Sequence, residues 1–213
     1  NIKCARKVGA DILIWTDVEV HLMRYLGPPY VYGIERIGTN CGIIGPNGMV
    51  VAGNTAVWLS ESGFWIYDGA IRPLQCDALI DVTDQINAGQ GNKTFGGHNS
   101  EFGEMWFFYP SASSTENDKY IIYNYRYGHW AVGSLARTCW VDQGVFRNPI
   151  AVDPDGVSYF HEIGSLNDGA TRVGDVYAVS GPIELGQGDR FAVVDRIITD
   201  DYENLPSLKA VIG

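Results

Sequence analysis

The sequence has little of what marks membrane proteins or proteins that bind nucleic acid. Its apolar runs, such as Gly42 to Ile44 and Ala56 to Leu59, are far shorter than the roughly 20 residues of a membrane helix. Only 15 Lys and Arg stand against 25 Asp and Glu, and the net charge of −10 has the wrong sign for holding a phosphate backbone. We therefore expect no membrane span and no sequence-specific contact with DNA or RNA.

Cysteines are few and widely spaced. None of them belongs to a C-x-x-C pair or has a histidine at ligand spacing. This pattern is typical of buried thiols in a protein made in a reducing cytoplasm. The four cysteines predicted to be buried are Cys4, Cys41, Cys76 and Cys139.

Motifs for catalysis or cofactor binding are also missing. The segment GQGNKT at Gly89 to Thr94 has asparagine where a phosphate-binding loop requires glycine. The segment SESG at Ser60 to Gly63 lacks the first glycine of a nucleophile elbow. The histidines have no metal-binding spacing; they are His21, His98, His129 and His161. The sequence therefore predicts no catalytic residue, no cofactor site and no metal site.

The sequence does contain a repeated pattern of apolar strand, polar turn and apolar strand. The composition, with 26 glycines and 12% aromatic residues, favours strands joined by tight turns. The pattern predicts hairpins over residues 12–23, 55–67, 105–125 and 149–162. Their turns recur about every 40 to 50 residues, which is the blade period of β-propellers.

Several predicted strands are apolar at both odd and even positions, as in TAVWLS (Thr55 to Ser60) and EMWFFY (Glu104 to Tyr109). A sheet with one solvated face would alternate, whereas a blade between two neighbouring blades is covered on both faces. Helical spacing of apolar residues within Cys76 to Lys93 predicts one short helix. We predict an all-β partial β-propeller of four-stranded antiparallel blades with one inter-blade helix. It spans residues 1–213 as a single region, with a further unit starting over 181–213.

The segment YLGPPYVYG, Tyr25 to Gly33, combines stiffness with aromatic surface. Pro28 and Pro29 restrict the backbone, and Tyr30 and Tyr32 lose little entropy when they become ordered. The segment either packs on the rim of its own subunit or anchors a contact between subunits. The candidate interface residues are Pro28, Pro29, Tyr30 and Tyr32.

Seven strings resemble, in order, a family of bacteriophage structural proteins: the propeller-bearing tail hub, nozzle or stabilisation proteins of short-tailed phages. The strings are DILIWTD (Asp11 to Asp17), YLGPPYVYG (Tyr25 to Gly33), NCGIIGPNG (Asn40 to Gly48), GFWIYDG (Gly63 to Gly69), EMWFFYPSASSTENDKYIIYNY (Glu104 to Tyr125), ARTCWVD (Ala136 to Asp142) and GPIELGQGDRF (Gly181 to Phe191).

The resemblance implies a virion component, assembled in the host cytoplasm, that forms a ring, usually sixfold, below the portal. Its partners would be copies of itself, the portal adaptor and other tail proteins. DNA would pass through the ring without sequence-specific binding, and the excess of acidic residues suits a channel wall that repels phosphates. Family members are typically much longer, so we expect this chain, which starts at Asn1, to be a fragment. The family contributes no catalytic residue and no cofactor.

Two other functions stay open. Carboxylates from distant blades can converge to hydrolyse a glycosidic bond, so a carbohydrate-active or carbohydrate-binding propeller is the alternative. A host-derived interaction propeller is the third hypothesis. The candidate carboxylates are Glu61, Asp68, Glu104 and Asp118.

Overall fold

Short strands and tight turns organise the chain into successive antiparallel sheets. The computed structural model describes residues 1–164, 166–167 and 170–171. The chain divides into two units, residues 1–164 and residues 165–213. In the second unit the described residues form one hairpin of two short strands, Leu166–Asn167 and Ala170–Thr171.

The first unit contains four sheets, each a meander in which consecutive strands pair. Sheet 1 consists of β1 (Ile2–Val8), β2 (Asp11–Thr16), β3 (Glu19–Tyr25) and β4 (Tyr32–Thr39). Sheet 2 consists of β5 (Met49–Ala52), β6 (Thr55–Ser60), β7 (Gly63–Tyr67) and β8 (Ile71–Pro73). Sheet 3 consists of β9 (Phe95–Asn99), β10 (Glu104–Tyr109), β11 (Lys119–Asn124) and β12 (His129–Ser134). Sheet 4 consists of β13 (Cys139–Val141), β14 (Ile150–Val152) and β15 (Ser158–Phe160).

The predicted fold class is confirmed: the chain is all-β, with blade-like antiparallel sheets. The four predicted hairpins correspond to β2–β3, β6–β7, β10–β11 and β14–β15, one in each sheet. Sheet 4 has three strands where four were predicted. The predicted further unit over 181–213 lies outside the described residues, and the single region over 1–213 stays a prediction.

Polar side chains close the turns by hydrogen bonding to the backbone. At the β2–β3 turn the Thr16 hydroxyl accepts hydrogen bonds from the backbone amides of Val18 (3.1 Å) and Glu19 (2.8 Å). At the β14–β15 turn the Asp153 carboxylate accepts one from the amide of Val157 at 2.8 Å. Side chains of this kind satisfy amides that a hairpin leaves unpaired, which explains why the turn residues predict the hairpins well.

Both faces of sheet 2 are buried, each against a different neighbour. Ala56 and Trp58 point toward sheet 1 and join a cluster with its Leu13 and Trp15. The intervening residues of the same strand lie in a second cluster, which contains Phe107 and other residues of sheet 3. The absence of apolar–polar alternation in TAVWLS therefore has the predicted cause.

Sheet 3 repeats this arrangement with its own neighbours. Phe107 faces sheet 2, while Trp106 and Phe108 lie on the opposite face. On that face Trp140 of sheet 4 stacks on Trp106, with ring centroids 5.3 Å apart. Trp15, Trp58 and Trp106 are buried, and Tyr159 of sheet 4 is half-buried.

The connection between sheets 2 and 3 contains an α-helix, α1 (Leu79–Gln85), and a 3-10 helix (Ala88–Lys93). Val82 of α1 is fully buried against sheets 2 and 3, so the helix fills the space beside their shared core. The sequence predicts one helix here, and the second element is the 3-10 turn that Asn87 caps by accepting a hydrogen bond from the Gly89 amide.

The prediction that all four cysteines are buried is wrong for Cys4, Cys76 and Cys139. All four cysteines are free, but only Cys41 is buried. Cys139 is exposed because it lies on the face of sheet 4 that points away from sheet 3, where the described residues provide no covering strand. Cys4 and Cys76 are half-buried.

Candidate interaction surface and polar cluster

The tip of the β3–β4 hairpin, residues 25–34, carries a group of exposed apolar side chains within one short segment. Six large apolar side chains are each between 56% and 74% exposed there. They are Tyr25, Leu26, Tyr30, Val31, Tyr32 and Ile34. Exposed apolar side chains are ordinary when scattered, but a group of them on one loop is a candidate binding surface.

This hairpin tip has a defined geometry. The Leu26 amide donates to the Val31 carbonyl (3.1 Å), which closes the loop. The rings of Tyr25 and Tyr32 meet edge to face with centroids 5.6 Å apart. At the base, Arg24 donates two hydrogen bonds of 2.9 Å to the Asp11 carboxylate, and these bonds lower the pKa of Asp11. The segment thus presents its side chains from a fixed backbone.

The structure brings all four predicted interface residues onto this surface. Pro28, Pro29, Tyr30 and Tyr32 are exposed, and the choice between packing on the rim of the same subunit and contact with another subunit stays open. The four residues are exposed because the hairpin is long. Its loop begins after Tyr25 and carries them beyond the core of sheet 1. Contact with another subunit stays a prediction.

A polar cluster lies between sheets 3 and 4. His98 of β9 donates from Nδ1 to Asp142 Oδ2 at 3.1 Å, and its Nε2 lies 3.2 Å from Tyr125 Oη. Asp142 Oδ1 accepts hydrogen bonds from the amides of Ser100 (3.1 Å) and Gln143 (2.8 Å). Burial lowers the pKa of His98, although Asp142 opposes the shift. The imidazole is therefore neutral at pH 7, and the cluster ties the β9–β10 loop to the segment after β13.

Next to this cluster is a cavity of about 620 Å³. It is lined by Glu101, Phe102, Gln143, Arg147, Asn148, Glu162, Ile163 and Gly164. The fully buried Asn99 supports it from behind by donating from Nδ2 to Glu162 Oε1 at 3.0 Å. Sequence reasoning missed these residues because they come from separate segments and form no motif.

A second histidine, His161, accepts a hydrogen bond at Nε2 from Nε of the buried Arg137 at 3.1 Å. The guanidinium of Arg137 also lies over the Tyr159 ring, 4.4 Å from its centroid. Burial and the adjacent cation lower the pKa of His161 to about 4. A protonated His161 would lose its acceptor and face a positive charge, so the folded chain keeps the ring neutral.

We expect this histidine to make stability depend on pH. An unfolded histidine titrates near 6.5, so between about pH 6.5 and 4 the unfolded chain binds a proton that the folded chain does not. The free energy of unfolding should therefore fall as the pH is lowered through this range, by on the order of 1–2 kcal/mol for a half-buried ring, and the effect should level off below about pH 4. Urea denaturation at several pH values measures it.

His161→Gln is the matched variant because the glutamine carbonyl can still accept from Arg137 but does not titrate. The fall in stability between pH 6.5 and 4 should be smaller in this variant than in the wild type. An unchanged pH dependence would contradict the assignment to His161.

The candidate carboxylates serve local structure. Asp118 accepts two hydrogen bonds of 2.7 Å from Ser111, through its amide and its hydroxyl. Glu104 accepts one from Trp106 Nε1 at 3.0 Å, and Asp68 pairs with Arg72. Glu104 and Asp118 stand at opposite ends of the β10–β11 hairpin, about 20 Å apart by strand rise, where glycoside hydrolysis needs carboxyl groups within about 10 Å. Glu61 lines a separate small cavity with Lys3.

Among the residues that the structure describes, no group of three or more His, Cys, Asp or Glu side chains is placed to hold a metal ion. Within the same residues, no helix has the length and apolar character needed to cross a membrane. In comparisons with known proteins, no family model matches the chain and no curated protein matches it.

Proposed function

We propose that the chain is a structural subunit of a bacteriophage tail, of the propeller-bearing hub or nozzle type, with no catalytic role. In this proposal copies of the chain assemble into a ring, expected to be a hexamer, in the host cytoplasm. The ring extends the DNA channel below the portal adaptor of the virion and helps to retain the genome. The excess of acidic residues lets DNA pass without adhering.

The observation that carries the proposal is the exposed tip of the β3–β4 hairpin. Tyrosine supplies large contact area at low entropic cost and is enriched at the centres of protein interfaces. Two tyrosines, Tyr30 and Tyr32, are 74% and 57% exposed on a loop that Pro28 and Pro29 stiffen. Ordering such a loop against a neighbouring copy therefore requires little further loss of freedom.

The proposal predicts that removing these two rings weakens assembly. In the double variant Tyr30→Ser, Tyr32→Ser, the protein concentration at which rings form should rise by at least about tenfold, because interface hot spots contribute about 2 kcal/mol or more. Mass photometry or sedimentation velocity over a concentration series measures the shift. The far-ultraviolet circular dichroism should stay unchanged, because neither side chain contributes to a buried core.

Tyr127→Ser provides the matched control, since Tyr127 is 78% exposed on a different hairpin, in sheet 3. This control should assemble at the wild-type concentration. The proposed role of the tip is contradicted if the double variant forms rings as readily as the wild type and the control.

A second candidate, a carbohydrate-binding propeller, is favoured by one specific observation, the polar cavity between sheets 3 and 4. Binding of this kind is compatible with a structural tail protein.

A further inference from the structure

We propose that the cavity between sheets 3 and 4 is a binding site for a sugar. Five of its lining side chains are planar hydrogen-bonding groups: two carboxylates, two carboxamides and one guanidinium. The exposed ring of Phe102 provides an apolar face beside them. A pyranose has hydroxyl groups that both donate and accept, and an apolar C–H face, so it can satisfy both parts of this lining.

Hydrogen bonds to neighbouring residues fix the polar side chains of the cavity. Gln143 donates from its side-chain Nε2 to Ser100 Oγ at 3.2 Å, and its backbone amide donates to the Asp142 carboxylate. That carboxylate also accepts hydrogen bonds from His98 Nδ1 and from the backbone amide of Ser100. Asn148 donates from Nδ2 to the Glu162 carbonyl at 3.2 Å. These bonds fix both carboxamides and leave their carbonyl oxygens as acceptors for a ligand. A site held in this way loses little entropy when it binds.

Glu162 has a strained backbone conformation. Its φ of 59° lies in the left-handed region, which a residue with a Cβ seldom adopts. Its carboxylate accepts a hydrogen bond from Asn99, a side chain with no exposed surface. A strained residue whose side chain is fixed by a buried amide and faces a cavity is typical of a ligand site.

Charged side chains that line the cavity determine which ligands fit it. Arg147 and Glu101 both line it, and within the described part of the chain neither side chain makes a hydrogen bond or an ion pair. An unpaired guanidinium offers five donors in a plane, and an unpaired carboxylate offers only acceptors. Adjacent hydroxyl groups of one sugar can pair with both, whereas an anion would be repelled by the two carboxylates.

The test uses the 213-residue chain and a panel of methyl glycosides of hexoses and N-acetylhexosamines. Saturation-transfer NMR should detect binding of at least one member of the panel. Arg147→Ala should raise the dissociation constant of that sugar by about tenfold or more, as expected for loss of hydrogen bonds to a charged group. Gln143→Ala should also weaken binding.

Glu61→Gln, in the other cavity, is the control and should bind the sugar as the wild type does. The variant Tyr30→Ser, Tyr32→Ser should bind it equally well, so failure of sugar binding and failure of ring assembly are distinguishable. Two results would overturn the proposal: no member of the panel binds, or binding is unchanged in both Arg147→Ala and Gln143→Ala. Circular dichroism of each variant shows that the comparison is made on folded protein.

Discussion

Replacing Trp58 with alanine is expected to lower the free energy of unfolding by about 3–5 kcal/mol, the range typical of a large aromatic residue removed from a core. Trp58 has no exposed surface and lies between sheets 1 and 2. Its ring meets Trp15 edge to face at 5.6 Å, and its Nε1 donates to the Cys41 carbonyl at 2.8 Å. The substitution therefore leaves a cavity between two sheets and a buried carbonyl without its donor.

Urea denaturation of the wild type and Trp58→Ala at pH 7.5 measures this effect. Trp58→Phe should lie between the two because it keeps most of the ring but not the donor. Tyr127→Ala, at an exposed position, should change stability by less than about 0.5 kcal/mol. A loss below 1 kcal/mol in Trp58→Ala would contradict the packing of sheet 1 on sheet 2.

The second large effect is expected from a single methyl group at Gly42. Residues 41–43 run against the β2–β3 turn, where the Cys41 amide donates to the Val18 carbonyl and the Ile43 amide to the Thr16 carbonyl, both at 3.1 Å. A Cβ at Gly42 would lie 2.2 Å from the carbonyl oxygen of Asp17, closer than any real contact. Because the obstacle is backbone, no side-chain rotation can relieve it.

Gly42→Ala should therefore displace the segment from the turn and weaken both hydrogen bonds. We expect the free energy of unfolding to fall by about 2–3 kcal/mol, as in overpacked cores. Gly144→Ala is the matched control, because an added Cβ there meets no atom within 4 Å. Equal midpoints of thermal unfolding in the two variants would show that the segment is not held against the turn.

The hairpins and the doubly covered sheets could be predicted because their causes are local. Turn residues such as Thr16 and Asp153 lie between apolar strands, and the run EMWFFY has no polar face. Strand β9, FGGHN, was not predicted, because two glycines and two polar residues carry no strand signal. Its place in sheet 3 comes from pairing with β10, which is a tertiary effect.

The two candidate sites also differ in how much of each could be predicted from the sequence. The aromatic loop at Tyr30 and Tyr32 was identified from composition, but its exposure depends on which elements pack nearby, and this information is not in the loop itself. The cavity near Glu162 could not be predicted, since it unites Glu101 with residues about 40 to 60 positions away in the sequence. Only the fold of sheet 4 onto sheet 3 brings these side chains together.

The burial of both faces of sheet 2 has a consequence for strand alignment. In a sheet with one solvated face, shifting the strand register by one residue moves apolar side chains into water. The free-energy cost of exposing them fixes the register. A slipped β6 would instead exchange one apolar core for the other, placing Val57 where Trp58 belongs. Side-chain volume and the tight turn at Glu61 and Ser62 must therefore set the alignment. Lengthening that turn by one residue should disturb this sheet more than the same insertion disturbs a sheet with one solvated face.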